Sequence, residues 1–118
     1  MSIKSYRELI VWKKAMIVVE DIYKLTKNFP NEEKFGLTSQ IRRAVISIPS
    51  NIAEGQTRNS TKEFKQFLYI AKASNAEVET QLELAFRLKY IDNDNFDLVI
   101  LKFEEISKML QSLVTKLK

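Results

Sequence analysis

Histidine and cysteine are both absent from this chain, so its chemistry is left to carboxylates, lysines, arginines, hydroxyls and amides. The absence excludes Ser-His-Asp triads, cysteine nucleophiles, thiolate and imidazole metal sites, iron–sulfur clusters, and the Glu-x-x-His di-iron motif of ferritin-like bundles. Glu54, Glu77, Glu79 and Glu83 are the remaining candidates for acid–base or metal chemistry. A carboxylate-only site holds a hard cation and needs several oxygens converging on one point. On a helix, Glu79 and Glu83 share an outer face while Glu77 points elsewhere, near Ile70 and Leu84, so the spacing brings no convergence. The expectation is a protein with no catalytic residue, no metal and no cofactor.

Binding chemistry is better represented. At the helical repeat, Gln40, Arg43, Ser47, Ser50, Asn51, Glu54 and Arg58 fall within one arc of about 100°. Such an arc can face a ligand or RNA, with Arg43 and Arg58 meeting phosphate while Asn51 orients them. It can equally serve the fold. Arg43 and Arg58 would then pair with Glu54 or with Glu77, and Ser47, Ser50 and Asn51 would satisfy carbonyls around Pro49. In that second reading Asn51, Glu54 and Glu77 are structural.

The basic side chains expected to be free are Lys13, Lys14, Arg58, Lys62, Lys65 and Lys72, which together with Arg43 form the candidate nucleic-acid-binding set. Arg58 and Lys62 flank a predicted turn, and Lys65 and Lys72 follow on the outer face of the next helix. A helix N-terminus flanked by lysines suits phosphate; the plain alternative is a solvated surface. No aromatic-rich RNA-recognition signature is present, so sequence-specific readout is not expected. A third set concerns self-association. Ile10 and Ile17 stand seven residues apart on an otherwise polar face, and Arg42 points away from Arg43 toward Ile46. Ile10, Ile17, Arg42 and Ile46 are therefore the candidate oligomer interface.

The elements that must position these residues are helical. The 118 residues carry only two glycines and two prolines, 45% are hydrophobic, and the net charge is +4. This is one domain over residues 1–118, with too few turn formers for an all-β fold. Ser5-x-x-Glu8 reads as a capping box opening a first helix that runs to Phe29 before Pro30. Its apolar positions, Met16 included, span about half the circumference, broader than a surface helix needs. A second helix opens at Gly36–Thr38 with Leu37, Ile41, Ala44, Val45, Ile48 and Ile52 inward. The pattern continues in phase past Pro49, predicting a kinked but unbroken helix ending near Gly55–Arg58. Ser60-x-x-Glu63 caps a third helix to about Tyr90, roughly 45 Å long. On its core arc Asn75 reads as a buried register-setting amide. Asp92 or Asn93 caps a fourth, where Phe96, Val99, Phe103, Ile106, Leu110, Leu113 and Leu117 repeat at near-heptad spacing. Short connections make this an all-α, antiparallel up-down-up-down four-helix bundle. The longest apolar run, Ala15 to Val19, is far below the roughly 20 residues of a membrane helix. No secretory leader is evident, and the expected location is cytoplasmic with no membrane partner.

One stretch is more specific than any periodicity. Gln40-Ile41-Arg42-Arg43-Ala44, Ser47-Ile48-Pro49-Ser50-Asn51-Ile52-Ala53-Glu54-Gly55 and Arg58 resemble the bacterial four-helix-bundle proteins named after open reading frames in 23S rRNA intervening sequences. Tyr6-Arg7, Val11-Trp12-Lys13-Lys14-Ala15, Lys62-Glu63-Phe64 and Glu77-Val78-Glu79-Thr80-Gln81-Leu82 extend the resemblance over roughly residues 6–91. It implies a non-enzymatic bundle that assembles with itself as a ring, a pentamer, similar in fold to the accessory protein of diversity-generating retroelements, which binds nucleic acid and a reverse transcriptase. Asn75 departs from the apolar residue the family favours there. The functional expectation is a homo-oligomeric scaffold associated with RNA or DNA; a protein-interaction adaptor with no nucleic-acid role is the alternative.

Overall fold

In the computed structural model, which describes residues 5–117, four helices form the chain: α1 (Ile10–Thr26), α2 (Leu37–Gln56), α3 (Thr61–Arg87) and α4 (Asn93–Lys116). Each helix packs on the next, and α4 closes on α1, the least intimate of the four seams. Ser47 meets Ser74 while Gly55 lies against Phe67; Lys72 reaches Gln111 while Phe86 stacks on Phe96; Lys14 reaches Glu105 while Asp21 reaches Lys102. Rising numbers on one helix meet falling numbers on its neighbour, so these pairs are antiparallel. The core is filled by branched aliphatics and Phe103, with Ile22, Ile41, Ile48, Ile52, Leu68, Leu82, Ile106 and Leu110 fully buried. The apolar positions expected of α2 are all buried; on α3, Phe64, Leu68, Ala71, Val78, Leu82 and Ala85 are buried and Phe67 is half-buried. Met16, expected inward, is exposed, so the buried face of α1 is narrower than its composition implies.

Helix ends differ from the sequence expectation where local bonding outcompetes propensity. Ser5 does not open α1. Its Oγ accepts from the Arg7 amide at 3.1 Å, capping a single 3-10 turn over Tyr6–Glu8. Extended backbone at Leu9 (φ −72°, ψ 123°) then separates that turn from α1. At its other end α1 stops at Thr26, three residues before Phe29, with the Thr26 hydroxyl donating to the Ile22 carbonyl at 2.7 Å. Helix α3 stops at Arg87 rather than Tyr90. Lys89 adopts a left-handed conformation (φ 66°), Tyr90 N donates to Ala85 O at 2.9 Å, and Lys89 N donates to Phe86 O at 3.0 Å. This is a Schellman motif with lysine where glycine is usual.

Ending there frees Tyr90 to organise another helix. Its hydroxyl donates to Glu33 Oε2 at 2.9 Å, and Glu33 Oε1 accepts from the Leu37 amide at 3.1 Å. A carboxylate thus satisfies an orphan donor at the N-terminus of α2. A Cβ at Gly36 would lie 2.9 Å from the same Oε1, so glycine keeps that cap in place. Helix α2 runs unbroken through the buried Pro49 to Gln56. Ser60 Oγ accepts from Glu63 N at 3.1 Å, and Asp92 Oδ1 accepts from Asn95 N at 2.8 Å, capping α3 and α4.

Two features of α3 set its neighbours' positions. Toward α4, the fully buried Asn75 donates through Nδ2 to the Phe103 carbonyl and to Glu79 Oε1, both at 2.9 Å, while its Oδ1 has no partner. Toward α2, a Cβ added at the buried Gly55 would stand 2.6 Å from Phe67 Cβ, 3.0 Å from Phe64 Cδ1 and 3.3 Å from the Phe64 carbonyl. Glycine inside a helix is ordinarily about 1 kcal/mol worse than alanine. Here the added carbon has no space, and Gly55→Ala is expected to destabilise the protein by about 1–3 kcal/mol through overpacking. A chemical-denaturation midpoint equal to or above the parent's would contradict this.

The Glu79 carboxyl is raised above the ordinary glutamate value, chiefly by burial and then by the charge of Glu104, against the Asn75 hydrogen bond. The folded state therefore holds this proton more tightly than the unfolded one. The resulting stability is complete below the unfolded pKa and is lost as pH rises through the folded one. Glu79→Gln is expected to flatten the stability–pH curve in the interval above pH 4.5. Urea midpoints that change equally with pH in parent and variant would count against it.

Candidate nucleic-acid interface

The polar arc of α2 divides into a clamp and a groove. Asn51 Nδ2 donates to the Ser47 carbonyl and to Ser47 Oγ, both at 2.8 Å, and Ser47 Oγ meets Ser74 Oγ of α3 at 2.9 Å. Asn51 therefore orients a serine rather than the arginines. Neither Arg43 nor Arg58 forms an ion pair with Glu54 or Glu77 among the described residues. Arg58 instead lies 4.8 Å over the Phe67 ring, a cation–π contact that leaves the guanidinium edge in solvent. Gln40, Arg43, Ala44, Ser47, Ser74 and Glu77 line a shallow groove of about 350 Å³ between α2 and α3. Glu77 accepts from Gln81 Nε2 at 3.3 Å.

Just beyond the α2–α3 turn, Thr61, Lys62, Lys65, Gln66 and Tyr69 line a second hollow of about 340 Å³ on the first turns of α3. Lys62 is exposed, Lys65 half-buried, and neither has a carboxylate partner among the described residues. The other sequence candidates are distributed differently. Lys14 pairs with Glu105 at 3.1 Å, and Lys72 donates to Gln111 Oε1 at 2.7 Å. Both bridge toward α4. Lys13 is exposed on α1. The structure thus brings Arg58, Lys62 and Lys65 to one end of the α2–α3 seam, with Arg43 farther along it.

Ile10, Ile17 and Ile46 are exposed at 62%, 52% and 41%. Arg42 is engaged within the chain. Its Nε donates to Thr26 Oγ1 at 2.8 Å, its NH2 to the Tyr23 carbonyl at 3.4 Å, and its guanidinium lies 4.5 Å over the Tyr23 ring. A cation there meets the negative end of α1. Sequence reasoning also passed over Tyr69 in the basic hollow, Ser74 in the groove, and the buried Gln81 that donates to Glu77. Ser74 meets its partner Ser47 only once α2 is docked, whereas Tyr69 shares its hollow, and Gln81 its hydrogen bond, with residues of α3 itself. Among the described residues no group of three or more acidic side chains could hold a metal ion, and no helix is long and apolar enough to cross a membrane.

Known proteins share this architecture. The chain is similar to a crystal structure of a protein of unknown function from the S23 ribosomal protein family of Bacteroides thetaiotaomicron. The identity is 32%, the match covers 91% of this chain and 96% of that one, and the TM-score is 0.84. No curated protein matches the chain. Residues 7–112 match the family described as 23S rRNA-intervening sequence protein, a span that takes in all of α1, α2 and α3, the Ser47–Ser74 clamp and most of α4. The chain belongs to that family.

Proposed function

We propose that this protein is a non-enzymatic, homo-oligomeric scaffold for nucleic acid, RNA foremost, which it holds through the basic surface at the α2–α3 turn. The observation that carries the reading is where positive charge is left uncompensated. Lys14, Arg87 and Lys102 are paired with carboxylates inside the chain, whereas Arg58, Lys62 and Lys65 gather beside an α-helix N-terminus with none. Phosphate contacts of this kind give affinity without sequence readout. The absence of histidine and cysteine excludes Ser-His-Asp triads and thiol nucleophiles, in keeping with this scaffold role. Cytoplasmic location and a ring of five are part of the same reading. The exposed Ile10, Ile17 and Ile46 supply the self-contact, and a ring repeats the basic patch so that weak contacts combine through effective concentration.

Fluorescence anisotropy of a labelled structured RNA, titrated at several salt concentrations, tests the nucleic-acid half. Log affinity is expected to fall linearly with log salt, and Arg58→Glu with Lys65→Glu to flatten that slope by about two for each protomer engaged. No binding at low salt would instead favour an adaptor that holds a protein partner through the polar arc of α2 or an oligomer face. For the self-association half, Ile17→Glu and Ile46→Glu are expected to lower the native mass toward the 13.8 kDa single chain. An unchanged mass would remove those isoleucines from the contact.

A further inference from the structure

We propose that the groove between α2 and α3 around Arg43 and Glu77 is a binding site for a small dipolar ligand that carries an oxyanion, carboxylate or phosphate, beside an N–H donor. The groove carries hydrogen-bonding capacity that the fold leaves unused. Arg43 on α2 and Glu77 on α3 line the same groove of about 350 Å³, yet they are not paired with each other. The Gln40 side-chain amide, on the same wall as Arg43, has no hydrogen-bond partner among the described residues.

Between them lies the Ser47–Ser74 hydroxyl pair, 2.9 Å apart. Two hydroxyls bring two protons, and the bond between them uses one. Asn51 fills an acceptor position on Ser47 Oγ by donating to it at 2.8 Å. Whichever serine donates to the other, one O–H is left over at the lining of the groove. Arg43, Gln40 and that hydroxyl are therefore three donors lining one groove, an arrangement that receives an oxyanion.

The opposite wall is an acceptor held from below. Glu77 takes the Gln81 amide at 3.3 Å, and Gln81 is only 8% exposed, with its own Oε1 unpartnered. A buried amide carbonyl without a partner is unfavourable, so the side chain that steadies Glu77 does so against its own desolvation. The hollow is at the lower end of ligand-sized sites, which limits the occupant to a chain end, an amino-acid-like zwitterion or a single nucleotide. This site is independent of the basic turn, and RNA binding through Arg58 and Lys65 can fail without affecting it.

The test is a titration of the full chain by nuclear magnetic resonance, following the Arg43 Nε–H and the side-chain amides of Gln40 and Gln81. Glycylglycine, cytidine 5′-monophosphate and inorganic phosphate serve as separate probes. At least one of the two dipolar probes is expected to shift all three signals saturably below about 10 mM. Saturation by the dipeptide identifies a chain end or amino acid as the source, and saturation by the nucleotide identifies a nucleoside phosphate. Arg43→Met and Glu77→Gln, both at exposed positions, are each expected to weaken that probe by about tenfold with unchanged thermal melting. No saturable shift with either dipolar probe would overturn the proposal, as would shifts confined to Lys62 and Lys65. Phosphate binding as tightly as both dipolar probes would overturn the role of Glu77.

Discussion

The closeness of α2 to α3 is the constraint on which the rest of the molecule depends. At Gly55 the two helices approach until a single added carbon would sit 2.6 Å from Phe67 Cβ. That approach lets the Ser47 and Ser74 hydroxyls meet two turns away, and it makes the Arg43–Glu77 groove shallow rather than deep. It also brings Phe67 under Arg58, so that the guanidinium is steadied by a ring rather than neutralised by a carboxylate. Backbone proximity at one glycine thus determines which polar groups of the family motif are consumed by the fold and which are left facing outward.

The other seams are closed by different means. Between α1 and α2, Arg42 ties the last turn of α1 through Thr26 and Tyr23. Between α3 and α4, Asn75 bonds a main-chain carbonyl in the core, a contact with one geometry that opposes sliding of one helix along the other. Between α4 and α1, two surface ion pairs, one of them with a half-buried Asp21, span the loosest contact, and surface pairs add little stability individually. They do, however, neutralise Lys14 and Lys102. Arg58, Lys62 and Lys65 at the α2–α3 turn have no such carboxylate partner among the described residues.

Much of this was legible in the sequence because the signals are local. The 3.6-residue period identified the interior of α2 even across Pro49, since a core position out of phase would have shown at Ile52. Ser60 and Asp92 were readable as caps because capping is decided within four residues. What was not legible depends on distant segments. Ser5 looks like an α-helix cap, but extended backbone at Leu9 ends its turn after Glu8. The end of α3 turns on Lys89 accepting a left-handed conformation, for which lysine carries no sequence signal. Arg42 was read as an outward residue because nothing in the spacing shows that the C-terminus of α1 lies beside it. The groove, too, takes one wall from the motif at 40–47 and the other from Ser74 and Glu77, and no periodicity links the two.

The central claim is that nucleic acid is held at the α2–α3 turn and not along the paired lysines of the α4 side. Lysine footprinting tests it most directly, by comparing the acetylation rate of each lysine, read by mass spectrometry, with and without saturating structured RNA. The account predicts selective protection of Lys62 and Lys65, with Lys14, Lys72 and Lys102 reacting at unchanged rates. Equal protection of all five, or protection centred on Lys14 and Lys102, would contradict it.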